Sequence, residues 1–267
     1  MYTCMTEAFF HTSYLAEKIS MENIFWIVRN TRKLDPNSLK EAHLQLSRKL
    51  TINKNDISLL EQVYQGLSES EKYLALKYGV PRSTPLEKAH VIDNGNLDCA
   101  FLEQCINSQL SLDNSGAIVF LDVILKPCWL SYFQGRIVNA HSAILPYARG
   151  MYAIEQLMTT GSRENIEKAA GATIHYVDSG IDTGKIITFK KIKSLWSLPS
   201  IWAVKGESYL LAFDLMSSYL KNKSNFSFQD VIPTDESLES PLFYSKNFTE
   251  DVKLLAEKKF HLYKLGE

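Results

Sequence analysis

Asn139, His141 and Asp182 are the residues of this chain whose types and spacing could do chemistry. An amide, an imidazole and a carboxylate brought together can stabilise a tetrahedral intermediate at a formyl carbon and move its protons, with neither a metal nor a covalent nucleophile. Only Ala140 separates Asn139 from His141, so on an extended chain both side chains point the same way. Leu145-Pro146 and Arg149-Gly150 then shape the turn into a helix, and Asp182-Thr183-Gly184 is a turn-forming run 41 residues after the histidine. A lone histidine at a strand end is more often structural than catalytic; its companions single this one out.

The elements that must position these residues are legible as an open α/β pattern. Ile24 to Val28, Ala117 to Leu121 and Arg136 to Asn139 are short, β-branched and aromatic, as interior parallel strands are. Residues 12–19, 98–109 and 150–160 alternate with them as helices. In such sheets ligands sit at the carboxyl ends of the strands, where Asn139 lies. Between Lys33 and Lys77, Leu44, Leu46, Leu50, Leu59, Leu60, Val63 and Leu67 predict a helical hairpin, read as a packing insertion, an oligomer contact or a lid. Lys185 to Ile192 alternates like an outer strand, Ser208 to Leu220 predicts an apolar-faced helix, 221–235 reads as loop, and Thr249 caps a last helix. Asp93 to Asn96 is a turn. Pro241 to Tyr244 is suited to pairing with a partner subunit or to covering a cleft.

With 45% hydrophobic residues in 267, the chain can bury one large core with a modest appendage: a domain over 1–193, carrying the insertion at about 33–77, and a helical extension over 194–267. Lys plus Arg number 29 against 30 Asp plus Glu, so no global field draws it to nucleic acid or to an anionic membrane. Cys4, Cys99, Cys105 and Cys128 lack CxxC spacing, and no charged leader precedes an apolar run, which points to a reducing cytoplasm. The apolar runs 24–28 and 117–125 are far short of the roughly 20 residues of a membrane span. His11, His43, His90 and His261 have no partners at metal-ligand spacing, so no metal is expected, and His175 reads as core or cleft lining.

Two longer stretches, Asn139-Ala140-His141-Ser142-Ala143-Ile144-Leu145-Pro146-Tyr147-Ala148-Arg149-Gly150 and Gly171 through Tyr176-Val177-Asp178-Ser179-Gly180-Ile181-Asp182-Thr183-Gly184 to Ile187, give the chain a resemblance. It resembles the folate-dependent formyltransferases that use 10-formyltetrahydrofolate, clearly over about residues 90–220 and loosely elsewhere. The resemblance implies a Rossmann-like, mostly parallel core with Asn139, His141 and Asp182 as catalytic set. The Asn139 amide and a protonated His141 would hydrogen-bond the oxyanion, and Asp182 would orient the imidazole and favour its charge. It also implies that the folate co-substrate lies against Leu121, Val123, Ile124 and Leu125 and against Tyr176, Val177, Asp178 and Gly180, largely through backbone.

Members that formylate glycinamide ribonucleotide cradle its phosphate in a Gly-Ser-Asn type loop, whereas Thr6 to Ser13 here is glycine-free and aromatic, a poor phosphate nest. The short stretch after Lys193 and the balanced charge argue against a tRNA acceptor. The expected acceptor is the amine or hydroxylamine of a small metabolite, an amino-sugar nucleotide or a hydroxyornithine-like amino acid. Arg149 is suited to its carboxylate or phosphate, Glu155 to its ammonium, and Tyr152, Trp129 or Trp196 to stacking on a base. A formyltetrahydrofolate hydrolase and a non-catalytic folate-binding module stand as alternatives, and a homodimer is compatible with the sequence.

Overall fold

The computed structural model describes residues 2–19, 24–92, 96–107, 115–222 and 241–266. The chain divides into two compact units, Met1–Asn139 and Ala140–Glu267. The first unit holds strands β1 (Tyr2–Glu7), β2 (Ile24–Arg29), β3 (Ala89–Ile92), β4 (Ala117–Phe120) and most of β5 (Ile137–His141), in the order β3-β2-β1-β4-β5. Every pairing among them is parallel, and in β4 and β5 Val119 lies opposite Asn139. Cys4, Met5, Ile27, Val28, Ile118 and Val138 are buried, the signature of a sheet covered on both faces. The α/β class and the parallel sheet expected from the sequence are both present.

Helix α1 (Thr12–Lys18) follows β1. The expected hairpin proves to be three helices, α2 (Pro36–Leu46), α3 (Lys54–Tyr64) and α4 (Glu69–Tyr78). The breaks come from capping: Asn53 and Asp56 form a capping box that starts α3, and Ser68 with Glu71 forms another that starts α4. Phe10, after β1, packs edge-on against Tyr14 and Tyr64 and near His43. Its complete burial contributes about 2 kcal/mol and anchors α2 and α3 to the strand end. His43 joins the Pro81 carbonyl (2.7 Å) to the Tyr64 hydroxyl (2.8 Å), and burial pushes its pKa down to about 4.

Helices α5 (Cys99–Asn107) and α6 (Pro127–Tyr132) complete the first unit. Contrary to the reduced cysteines expected of a cytoplasmic chain, Cys99 and Cys128 form a disulfide between these two helices, while Cys4 and Cys105 are buried and outside any disulfide among the described residues. Spacing missed the pair because the two sulfurs meet across 29 residues of chain.

The second unit contains α7 (Ala153–Thr160), α8 (Arg163–Ala169), the antiparallel pair β7 (Gly171–Tyr176) and β8 (Ile186–Lys191), and helices α9 (Ile201–Lys221) and α10 (Glu250–Leu265). Helix α9 begins seven residues before the expected Ser208, at the Ser200 cap. It is apolar nearly all round in its first two turns, which blurs the periodicity that marks a helix start. Leu242–Phe243 (β9) pairs in parallel with Arg149–Gly150 (β6), so the 241–244 segment is engaged within its own unit. Thr249 caps α10 as expected. The 221–235 loop beyond Asn222 and the turn at 93–95 lie outside the described residues, as does the His90 side chain.

At the ends of β1 and β2, Arg29 bridges Glu7 and Asp122. Burial first, and then Asp122, push the Glu7 carboxyl up to about 8, with Arg29 pulling the other way. A carboxyl whose folded pKa exceeds its unfolded value binds protons more tightly when folded, so its contribution to stability falls as pH rises from about 4.5 through 8. Urea unfolding of the wild type should therefore show a stability decline across this interval that Glu7→Gln reduces; an identical decline in the variant would refute the assignment. Replacing Cys99 and Cys128 together by serine should cost about 3 kcal/mol in the same measurement, and an unchanged midpoint would mean that no bond forms.

Candidate functional site

Strand β5 ends at His141, and the alternation of its residues gives Asn139 and His141 the same side of the strand. Asn139 is half-buried and belongs to the first unit; His141 and Ser142 are buried in the second. The turn after β5 is fixed from β7: the Thr173 hydroxyl donates to the Ala143 carbonyl (2.9 Å) and accepts from the Leu145 N–H (3.0 Å). The Leu145–Pro146 peptide is cis.

The second unit brings His141 and Asp182 together. Asp182 sits in the left-handed region (φ 52°), which an aspartate tolerates better than most residues. Its Oδ2 accepts the Gly150 N–H at 2.8 Å and lies 3.5 Å from His141 Nδ1. Its Oδ1 lies 3.4 Å from Nε2 of His175. His175, read from the sequence as core or cleft lining, is thus a direct neighbour of the carboxylate. The available signal was its place in the same Gly171–Ile187 stretch as Asp182. A register irregularity between Ile174 and His175 alters the pairing of β7 with β8 at that point.

Both rings spend one nitrogen on a carbonyl: His141 Nε2 donates to Ala148 O and His175 Nδ1 to Tyr176 O, each at 2.9 Å. A carbonyl only accepts, so in the neutral rings the nitrogens facing Asp182 carry no hydrogen. A proton arriving at either one is held between ring and carboxylate. Burial holds the His141 imidazole below its usual value; Asp182 and the Ala148 carbonyl raise it, His175 and Lys205 lower it further, and the balance stays low. An imidazole held in this way favours its neutral form at neutral pH. Burial would raise Asp182, but His141, His175 and the Gly150 N–H outweigh it and keep the carboxyl well below the usual range.

The remaining expected positions are placed as follows. Val123 and Ile124 are exposed, Leu121 is half-buried and Leu125 is buried, all in the first unit. In the second, Tyr176 is buried, Val177 half-buried, and Asp178 and Gly180 exposed, with Asp178 Oδ1 accepting from the Gly180 N–H (2.9 Å) and the Thr183 hydroxyl (2.7 Å). Arg149 is half-buried. Glu155 is buried and ion-paired with Lys205 at 3.4 Å, so the ammonium it was expected to hold is already supplied by the protein. Tyr152 stacks on Phe248 with ring centroids 4.2 Å apart, and Trp129 is fully buried with its indole N–H on the Leu97 carbonyl. Neither presents a free face of the kind expected for a nucleobase: one is covered by Phe248, the other by core.

Residues 114–196 match the family described as formyl transferase. Over 96 residues the chain is 36% identical to a phosphoribosylglycinamide formyltransferase of Bacillus subtilis (strain 168), a stretch that makes up 35% of this chain and 47% of that protein. The chain thus spans about half the length of that curated relative. A sugar N-formyltransferase from Shewanella sp FDAARGOS_354 superposes with a TM-score of 0.54 at 13% identity, covering 97% of this chain and 87% of the other. A 4-N formyltransferase from Francisella tularensis does so with a TM-score of 0.52 at 12% identity over the same shares. At such identities the two structures speak for the fold.

Asp182→Asn removes the carboxylate that raises His141, so the ring titration of His141, followed by NMR, should move to lower pH; a midpoint at or above the wild-type value would sever the two residues.

Proposed function

We propose that this chain, whose residues 114–196 match the formyl transferase family, is a folate-dependent formyltransferase that moves a formyl group from 10-formyltetrahydrofolate to the amine or hydroxylamine of a small metabolite. The observation that carries this reading is the buried Asp182 carboxylate flanked by His141, His175 and the Gly150 N–H, within the stretch that matches the family.

Bound 10-formyltetrahydrofolate supplies the electrophilic formyl carbon. Asn139 acts through its amide NH2, a hydrogen-bond donor that needs no change of charge to receive a developing oxyanion. His141 takes up the proton released as the attacking nitrogen bonds to the formyl carbon, Asp182 stabilises the imidazolium so formed, and the proton passes to the folate nitrogen as its bond to the formyl carbon breaks and tetrahydrofolate leaves. His175 shares the same carboxylate and keeps it oriented. The exposed apolar side chains of Val123 and Ile124 fit a flat ring, as does the ordered loop that Asp178 ties to Gly180 and Thr183. We assign the co-substrate to Leu121, Val123, Ile124 and Leu125 and to the backbone of Tyr176, Val177, Asp178 and Gly180. Arg149 is the side chain we assign to an anionic group of the acceptor. Glu155, neutralised by Lys205, leaves that role.

The acceptor we favour is an amino-sugar nucleotide or a hydroxyornithine-like amino acid. The glycine-free loop after β1 counts against a phosphoribosyl acceptor, the acceptor named for the Bacillus subtilis relative. Residues 1–193 form the catalytic domain in this reading and 194–267 its helical extension, in a cytoplasmic setting where folate co-substrates are available.

Tetrahydrofolate release should depend on one acceptor class when the protein is given 10-formyltetrahydrofolate with separate pools of amino sugars, sugar nucleotides, amino acids and N-hydroxylated diamines. Asn139→Ala, His141→Ala and Asp182→Ala should each lower that rate on the order of 100-fold or more with the fold intact. Release without acceptor would make the protein a hydrolase instead, and no release from any pool would leave a folate-binding module.

A further inference from the structure

Lys205, on α9, is among the most buried charged side chains of the second unit, at 5% exposure. Its Nζ donates to the Ser142 hydroxyl at 2.9 Å and lies 3.4 Å from Glu155 Oε2 on α7. Glu155 is 2% exposed, and this oxygen has no hydrogen-bond partner among the described residues. The ammonium also faces the rings of Tyr209 (5.2 Å) and Tyr152 (5.9 Å). Taking such a pair out of water costs several kcal/mol per ion, and a well-packed apolar pair of similar volume is often no less stable. Packing alone is therefore a weak account of why the charge is there.

What the ammonium grips is the residue that follows His141 on the chain. Four groups act on the imidazole from the elements around it: Asp182 from the loop between β7 and β8, His175 from β7, the Ala148 carbonyl from the turn before β6, and Lys205 from α9. Among the charged ones Lys205 alone has a permanent positive charge. We propose that Lys205, clamped by Glu155, is a positioning residue for His141: its hydrogen bond to the Ser142 hydroxyl fixes the turn that follows the imidazole, and its ammonium is set against the residue next to that ring. The proposal rests on the reading of His141 as the proton acceptor in formyl transfer. It assigns Glu155 to the support of that ring, in place of the acceptor-binding role the sequence suggests.

The test uses the full chain with Lys205→Met, Lys205→Arg and Ser142→Ala. NMR titration of the His141 ring without co-substrate should show the midpoint of Lys205→Met moved to higher pH, with Lys205→Arg close to wild type. Ser142→Ala should leave the midpoint in place. With co-substrate and acceptor, the acid limb of kcat/KM should move with the ring titration in Lys205→Met. The plateau should fall roughly 10- to 100-fold in Lys205→Met and Ser142→Ala, both of which free the turn. An unmoved midpoint in folded Lys205→Met, or a Lys205→Arg midpoint displaced as far as that of Lys205→Met, would overturn the proposal. If Lys205→Met does not fold, the double variant Glu155→Gln/Lys205→Met, which leaves no single buried charge, must lower the kcat/KM plateau as Ser142→Ala does, and a wild-type plateau there would equally overturn it. A moved midpoint with no turnover of any acceptor supports the role of Lys205 and sinks formyl transfer, so the two readings fail separately.

Discussion

An ionised carboxylate under the surface must be met by donors, and the second unit is arranged around meeting Asp182. With its side chain only 12% exposed, Asp182 draws its hydrogen bond from the Gly150 backbone. The supply of that N–H follows from strand geometry. Arg149 and Met151 donate to Pro241 and Phe243 across the β6–β9 pair, and because successive N–H groups of a strand point to opposite sides, the Gly150 N–H is turned away from β9 and toward the carboxylate. The same closeness dictates the residue type. A Cβ on Gly150 would stand 2.0 Å from the Phe243 carbonyl oxygen, and one on Gly184, just past Asp182, 1.7 Å from that of Tyr176. Gly150, Asp182 and Gly184 are thus one requirement expressed at three positions, and the 241–244 segment belongs to it because it holds β6 in register.

The proton count follows from the same arrangement. Two imidazoles flank one carboxylate, and each has already given its N–H to a carbonyl. Burial first, and then His175 and Lys205, hold the His141 imidazole below its usual value against the pull of Asp182, whose own carboxyl is held well below the usual range. Such a set takes a proton only when a donor of sufficient acidity arrives, as the nitrogen of a tetrahedral adduct would be. The Nε2–H bond to the Ala148 carbonyl fixes the imidazole plane with Nδ1 toward Asp182, so little reorganisation is left for the moment of proton transfer.

The parts of this site that could be read from the sequence are those encoded by local rules. Asn139 and His141 are two apart on a strand, and Asp182 and Gly184 form a turn; period and turn chemistry suffice to place them. His175 is buried as read, but its closeness to Asp182 was not legible, because a histidine inside an apolar strand carries no local sign of what the neighbouring loop will bring against it. Lys205 was invisible for a related reason: its partners Ser142 and Glu155 lie 63 and 50 residues away in sequence (205 − 142 and 205 − 155), and a single lysine in a helix reads as solvated. In retrospect Ile201-Trp202-Ala203-Val204 directly before it was the hint that its surroundings are apolar. Strands and the parallel sheet were legible from apolar runs. The division of 33–77 into three helices was not, since the leucine spacing continues across the breaks and only the caps at Asn53 and Ser68 mark them.

The first unit adds an argument about what can bind at the end of β1. An anion-binding loop needs backbone N–H groups that are free to converge on a ligand. Here the His11 N–H points to the Glu71 carboxylate at 3.3 Å, and its Nδ1 lies 2.9 Å from the same oxygen. The Ser13 and Tyr14 N–H groups go to the Phe10 and His11 carbonyls. The other Glu71 oxygen accepts from the Ser68 N–H and hydroxyl, both at 2.9 Å. Burial would raise the Glu71 carboxyl, but the His11 contacts and the Ser68 bonds bring it down to about 2, so it is a permanent anion. A phosphate seeking this loop would have to displace a carboxylate tethered to the chain and held by two residues, and would do so without a glycine to open the backbone to it. A carboxylate from the inserted helices thus already occupies this loop, and this, more than the lack of glycine in the sequence, is the physical reason why the proposed acceptor is one that does not depend on a phosphate there.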